Sequence, residues 1–245
     1  MYPIRDHNPS GRTPFVTYTL ISMNIILFIS YLGLFNDPRA IDTFYRQWGI
    51  LPAQISAGYG YETLVTSMFL HGGYMHILGN MLFLWIFGDN MEDEMGHLGF
   101  LLFYVAAGIA AGLIHVMFQP DSLVPTVGAS GAIAGVMGGY LLLFPRAKVD
   151  ILLIFIIFFK VFTIPAWIML ALWFAIQLFL GVTADPSTGG VAYWAHAGGF
   201  VAGLILTFPV FVRKGGKAFW SQNHGAPPHP ETEYTPSHIP RVKRK

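Results

Sequence analysis

The sequence contains no cysteine and little charge, and each lack excludes a class of protein. Asp, Glu, Lys and Arg together make up 11% of the 245 residues, against about 25% in a soluble domain. Without cysteine there is no disulfide, no thiolate metal site and no cysteine nucleophile. Hydrophobic residues make up 54% of the chain, and its mean hydropathy is +0.53. This composition is that of an integral membrane protein.

The formal net charge is only +1, so nothing in the composition points to nucleic acid as a partner. The expected partner is the lipid bilayer. The length leaves room for one membrane domain of about six spans. We therefore predict an all-α, six-helix bundle whose spans are approximately Phe15–Leu34, His71–Gly88, Leu98–Phe118, Gly128–Phe144, 165–182 and Tyr193–Val212.

The flanking segments complete the predicted organisation. Residues 1–13 are polar and are expected to form a cytoplasmic N-terminus before a retained first span, residues 14–212 the membrane domain, and residues 213–245 a disordered, basic, proline-rich tail. The connection 35–70 is too apolar for a disordered linker, which predicts short helices lying partly in the interface. Asp150 to Thr163 are also placed at the interface, because Lys160 would be costly at mid-span.

The basic residues predict the orientation. With six spans, Arg5, Arg12, Arg146, Lys148 and the basic tail all fall on one side of the membrane, and the positive-inside rule makes that side cytoplasmic. Both termini are then inside. The plasma membrane is the expected location.

One serine stands among small residues at the head of the fourth span, in the stretch 128–140 (GASGAIAGVMGGY). Gly128 and Gly131 flank Ser130 and would let a substrate approach it closely. A serine at the start of a helix also has free backbone N–H groups beside it. Ser130 is thus a candidate nucleophile. The alternative is a packing seam, because Gly131, Gly135 and Gly139 repeat at the small-xxx-small spacing of membrane helices.

Polar residues of three spans are predicted to converge. The second, fourth and sixth spans all enter the membrane from outside, and each carries its polar residues within its first turns: His71, His76 and Asn80, then Ser130, then His196. At 1.5 Å rise per residue these groups lie at similar depth. Polar groups inside a membrane usually face the bundle interior and indicate function.

Serine and histidine on facing helices can carry out acyl transfer, with Ser130 as nucleophile and His196 as general base. Gly199 and Gly203 would let the sixth span pack closely against the fourth. The acidic residue nearest to His196 in the sequence is Asp185, in the preceding loop. A dyad is therefore expected rather than a triad.

His76 and Asn80 are four residues apart and share a helix face. With the Ser130 backbone N–H they could form an oxyanion hole. The alternative for this pair is an interhelical hydrogen bond without chemistry. His71, just outside the helix, is expected to stabilise the loop.

These motifs, namely His71 to Asn80 (HGGYMHILGN), Gly128 to Gly131 (GASG) and Ala195-His196 followed by Gly199 and Gly203, resemble those of the rhomboid intramembrane serine proteases. The resemblance implies a six-span fold whose active site faces the outer side and cleaves transmembrane segments of single-span membrane proteins. It also implies that no cofactor or metal is needed and that the fifth span belongs to a lateral gate for substrate.

Four other functions compete. A zinc protease would use His71, His76 and His196 but lacks the H-E-x-x-H motif. An α/β-hydrolase elbow needs a glycine where Ala132 stands. A channel or transporter would show broken helices or internal repeats, which the sequence does not contain. An inactive relative that binds membrane proteins is the fourth alternative. The sequence gives no oligomeric state.

Overall fold

The computed structural model describes residues 2–155, 158–184, 190–223 and 225. The chain is mostly helical, as expected. Within the described residues, six long helices form the bundle: α1 (Phe15–Ser30), α5 (Tyr74–Met95), α6 (His97–Phe118), α7 (Ser130–Leu143), α8 (Ala166–Thr183) and α9 (Tyr193–Arg213). Their bounds lie close to those of the six predicted spans, except at the end of α5.

Helices α6, α8 and α9 are long and apolar enough to cross a membrane. Helices α1 and α7 are apolar but shorter, with 16 and 14 residues. The most extensive helix contact is between α7 and α9, and α6 packs against both. Helix α7 is accordingly the central element, buried along nearly its whole length.

The connection between α1 and α5 contains the short helices predicted for it. They are a 3-10 turn (Leu32–Asn36), α2 (Pro38–Trp48), α3 (Pro52–Ser56), α4 (Thr63–Thr66) and a second 3-10 turn (Ser67–Phe69). Asp37 caps α2 by accepting a hydrogen bond from the Arg39 N–H at 2.9 Å, and Pro38 occupies the first turn. Helices α3 and α4 pack against α6, so the connection is part of the bundle.

Helix α5 continues through the acidic stretch that was expected to end the second span. Glu92 and Glu94 find partners there, which offsets part of the cost of placing them in the bundle. Glu92 accepts hydrogen bonds from the backbone N–H groups of Val16 and Thr17, each at 2.8 Å, and so caps the start of α1. Glu94 pairs with Lys214, the residue that follows α9. The helix ends at Gly96, whose φ is +73°.

The structure also contains a sheet that was not predicted, so the all-α assignment is incomplete. Strands β1 (Tyr2–Asp6), β2 (Lys148–Phe155) and β3 (Phe158–Pro165) pair antiparallel in the order β1-β2-β3. Lys148 pairs with Pro165 at the base of the hairpin, where α8 begins. The apolar tract around Lys160 is rich in Ile, Val and Phe, residues that favour a strand.

A helix lies where the tail was expected to be disordered: α10 spans Lys217–Asn223. It docks because Phe219 is buried and the Trp220 indole N–H donates to the Leu142 carbonyl at 3.1 Å. Residue 224 and residues 226–245, which hold the rest of the predicted tail, lie outside the described residues.

Candidate active site

A cavity of about 710 Å³ opens where α5, α7 and α9 begin. Its lining includes the four polar residues predicted for catalysis, His76, Asn80, Ser130 and His196, together with Gly128 and Gly131. Residues of the three preceding connections also line it: Gly72, Pro125 to Gly128, and Gly190 to Ala192. Three separate helix starts therefore bring their polar side chains to one place, at the opposite end of α7 from the sheet.

Ser130 is the first residue of α7, so its N–H has no partner within the helix. The turn before it depends on Gly128, which has φ +135° and donates its N–H to the Ser67 carbonyl at 2.9 Å. A Cβ at position 128 would lie 2.8 Å from His76 Nε2 and 3.4 Å from Ser130 Oγ. Only glycine satisfies both the backbone conformation and this space.

The Oγ of Ser130 lies 2.7 Å from Nε2 of His196, the residue of α9 that faces it. This is the distance of a strong O–H···N hydrogen bond. The two residues are 66 positions apart in the sequence, and the close approach of α7 and α9 brings them together.

Glycines make that approach possible. A Cβ on Gly199 would overlap the carbonyl oxygen of Gly131, and a Cβ on Gly203 would overlap that of Gly135. On the other side of α7, a Cβ on Gly131 would lie 2.7 Å from the Ala111 Cβ of α6. The glycines of α7 therefore allow close packing against α6 and α9, and those in the first turn of the helix also leave space around Ser130. The two interpretations of this stretch are compatible.

Two residues of α8 that touch His196 were not predicted as part of the site. Gln177 Oε1 lies 2.8 Å from His196 Nδ1. The ring of Trp173 lies against the imidazole, with centroids 5.8 Å apart and planes inclined by 30°. The sequence signal that could have revealed Gln177 is a lone amide in an otherwise apolar span.

His76 is held with a defined ring nitrogen toward the serine. Its Nδ1 accepts a hydrogen bond from the Gly72 backbone N–H at 3.1 Å, so the proton of the neutral ring lies on Nε2. That nitrogen faces Gly128, next to Ser130. His76 thus directs an N–H donor into the cavity.

Asn80 lies one helical turn after His76 and is 8% exposed. Its side-chain N–H₂ group has no hydrogen-bond partner among the described residues. A buried amide donor without a partner costs free energy, and here it faces the cavity. The arrangement leaves a donor available to a bound molecule.

His71 lies behind His76, with ring centroids 5.1 Å apart, and is fully buried. Its backbone is tied to two tyrosines: its N–H donates to the Tyr31 hydroxyl at 2.7 Å, and its carbonyl accepts from the Tyr45 hydroxyl at 2.9 Å. These bonds anchor the start of α5 to the connection after α1.

Both ring nitrogens of His196 have partners, one a hydroxyl and the other an amide. Within the described residues, no three His, Cys, Asp or Glu side chains are grouped so that they could hold a metal ion. The zinc-protease alternative therefore gains no support from the geometry.

Comparison with known proteins gives a consistent result. A family model of the Rhomboid domain matches residues 59–213. The chain is 35% identical to RHOMBOID-like protein 4 of Arabidopsis thaliana over 151 residues (61% of this chain, 34% of the relative). It is 29% identical to Rhomboid protein 1, mitochondrial, of Saccharomyces cerevisiae over 206 residues (78% and 51%). It is 34% identical to Rhomboid protease GluP of Bacillus subtilis over 128 residues (52% and 24%).

The chain spans about half or less of the length of each of these curated relatives. The matched segment of the family model contains every polar residue that lines the cavity, together with Gln177 and Trp173 of α8. It also covers more than half of the chain. The protein is a membrane protein that belongs to the rhomboid family.

Proposed function

We propose that this protein is an intramembrane serine endopeptidase with a Ser130–His196 dyad. The observation that carries the proposal is the 2.7 Å approach of Ser130 Oγ to His196 Nε2 at the wall of a cavity. Family membership supports it, and one similar protein is named a rhomboid protease.

In the first half of the reaction His196 Nε2 takes the proton of the Ser130 hydroxyl while Oγ attacks the carbonyl carbon of a substrate peptide bond. The new C–O bond gives a tetrahedral intermediate with a negative oxygen. When the C–N bond breaks, Nε2 returns the proton to the leaving amine, and an ester to Ser130 remains.

The negative oxygen needs donors beside the serine. The Nε2–H of His76, the side-chain N–H₂ of Asn80 and the Ser130 backbone N–H are the groups proposed for this role. One such donor is worth about 2.7–4 kcal/mol of barrier. Donors held in place before the reaction cost no reorganisation when the charge develops.

Hydrolysis of the ester needs water. A water molecule activated by His196 attacks the ester carbonyl, its proton passes to Nε2, and the Ser130 oxygen leaves with that proton. The bilayer core supplies no water, so the cavity at the start of α5, α7 and α9 is the proposed route for it.

The same proposal includes the arrangement in the membrane. Helices α1, α5, α6, α7, α8 and α9 are the six proposed spans, with residues 1–13 and 213–245 cytoplasmic and residues 14–212 as the membrane domain. The cavity then faces the outer side of the plasma membrane. The proposed substrates are single-span membrane proteins, which enter laterally beside α8.

The test is cleavage of a model single-span substrate by purified protein in liposomes. Ser130→Ala and His196→Ala should each abolish cleavage while the protein stays folded, because each removes one member of the dyad. Ser221→Ala, at an exposed position of α10, serves as the matched control and should cleave like the wild type. Full activity of the Ser130→Ala protein, or no cleavage by the wild type across varied substrates, would overturn the proposal.

A further inference from the structure

Helix α8 carries one strongly polar side chain in its interior, and that side chain contacts the imidazole of His196. Gln177 is 7% exposed in a helix that is otherwise apolar from Ala166 to Gly181. An amide inside a membrane helix is costly unless it finds a hydrogen-bond partner. Its Oε1 lies 2.8 Å from His196 Nδ1, so the partner is the ring that also contacts Ser130.

The contact belongs to a continuous face of α8. Trp173, Gln177 and Gly181 are each four residues apart and therefore share one side of the helix. Trp173 lies on the His196 ring. A Cβ on Gly181 would lie 3.2 Å from the Trp194 ring of α9. These contacts, one turn before and one turn after Gln177, fix its position along α8 relative to His196.

We infer that Gln177 is a positioning residue which holds His196 in the tautomer that a general base needs. The amide oxygen can only accept a hydrogen bond, so it selects the imidazole whose proton lies on Nδ1. The lone pair of Nε2 then faces the Ser130 hydroxyl at 2.7 Å. The opposite tautomer would place an N–H against that hydroxyl and could not take its proton.

Gln177 acts through His196 and not on the substrate. Trp173 and His196 line the cavity, whereas Gln177 lies behind the imidazole and outside the cavity lining. Its loss should therefore lower kcat and leave KM unchanged. Once His196 takes the serine proton, the same Nδ1–H···Oε1 bond stays in place and strengthens, because the donor is then charged.

This inference rests on the proposed function, and its test uses two independent readouts. The first is ¹⁵N NMR of histidine-labelled protein in detergent micelles, with the His196 signals assigned from their loss in His196→Ala. The wild type should show His196 protonated at Nδ1 alone. Gln177→Met, which matches the size of Gln but has no acceptor, should show a mixture of tautomers or a shift to Nε2.

The second readout is kinetic. Gln177→Met should lower kcat about tenfold to a hundredfold at unchanged KM, as expected for one lost buried hydrogen bond. Gln177→Glu, which retains an oxygen acceptor, should restore most of the rate. Leu102→Met, at an exposed site on α6 away from the cavity lining, is the control and should behave like the wild type. Gln177→Leu repeats the test if the Met variant does not fold.

The possible outcomes distinguish the positioning role of Gln177 from the proposed protease function. Wild-type kcat in Gln177→Met, or a reduced kcat with His196 still protonated only at Nδ1, would overturn the role of Gln177. A wild type that cleaves nothing but shows a Gln177-dependent tautomer would overturn the protease assignment and leave the hydrogen bond in place.

Discussion

Gly203 of α9 lies directly against the carbonyl oxygen of Gly135 of α7, so closely that a Cβ at position 203 would overlap this oxygen. The carbonyl is backbone and has no rotamer to adopt instead. Because Ser130 and His196 sit one and two turns nearer the cavity on the same two helices, the separation of these glycines also determines the distance between the serine and the histidine.

We predict that Gly203→Ala lowers both stability and cleavage. Overpacking a well-packed site costs about 1–3 kcal/mol, and the helices must move apart to relieve it. The melting temperature in detergent should fall, and the remaining folded protein should cleave more slowly because the dyad is stretched.

The matched control for this prediction is Gly79→Ala, in the melting experiment alone. Gly79 lies in helix α5, and an added Cβ there would meet nothing within 4 Å. Alanine has the higher helix propensity, by about 1 kcal/mol, so this variant should melt at the wild-type temperature or above. A Gly203→Ala protein as stable as Gly79→Ala would contradict the packing argument.

The glycine contacts could be predicted from the sequence because they depend on residues that lie close together along the chain. Small residues at four-residue spacing in α7 and α9 predict close helix packing, and polar residues in the first turns of three spans predict convergence. Both rest on helix geometry alone. The long helices accordingly begin and end close to the predicted positions, apart from α5, whose acidic end is stabilised by Val16 and Thr17 of α1 and by Lys214, which follows α9.

The contacts that the sequence did not reveal depend on partners distant in the chain. The role of Gln177 and Trp173 depends on their contacts with His196 on the next helix. No residue near them in the sequence indicates these contacts. The hairpin of β2 and β3 was missed for another reason. An apolar run such as Ile151 to Phe155 has the composition of a strand and of a membrane helix, and pairing with β1 decides between them.

The oxyanion role of Asn80 gives a kinetic prediction. Asn80→Ala removes a donor that has no partner among the described residues, so folding should lose little, while kcat should fall about 10²–10³-fold. Steady-state cleavage in liposomes measures the effect. KM should change less than kcat, because the donor acts mainly when negative charge has developed.

Asn24→Ala is the matched control for Asn80→Ala. Asn24 is a buried amide of α1 whose N–H₂ group bonds the Leu20 carbonyl at 2.8 Å, away from the cavity lining. Its loss should affect melting more than kcat. If the two variants were to cleave equally well per folded molecule, Asn80 would have no part in catalysis.

The carboxyl group of Asp6 in β1 predicts a pH-dependent stability. Burial raises the pKa of Asp6 from 3.8 to about 7. The hydrogen bond that its carboxylate accepts from the Tyr140 hydroxyl lowers the pKa, the nearby charge of Asp89 raises it, and that of Arg5 lowers it. Between about pH 4 and pH 7 the folded protein therefore holds a proton that the unfolded chain has released. The free energy of unfolding should fall as the pH rises through this range and level off above it.

Melting temperatures of wild type and Asp6→Asn at pH 5 and pH 8 test this prediction. The asparagine stays neutral and keeps an oxygen for Tyr140, so the variant should lose less stability between the two pH values than the wild type. Asp121→Asn, in the exposed loop after α6, is the control and should keep the wild-type difference. An equal loss in Asp6→Asn and wild type would rule out Asp6 as the source.

The absence of cysteine from the sequence permits a direct test of the proposed topology. Asp121→Cys places a thiol in the exposed loop between α6 and α7, and Lys217→Cys places one at the start of α10. With six spans and a cytoplasmic C-terminus, these positions lie on opposite sides of the membrane.

A membrane-impermeant maleimide should label the Asp121→Cys variant in intact cells and the Lys217→Cys variant only after permeabilisation. Neither position contacts the cavity, so cleavage activity should persist and report that each protein is folded. Labelling of both thiols in intact cells would place them on the same side of the membrane. This requires an even number of crossings between α6 and α10, so one of the helices α7, α8 and α9 would not cross, and the six-span topology would be wrong.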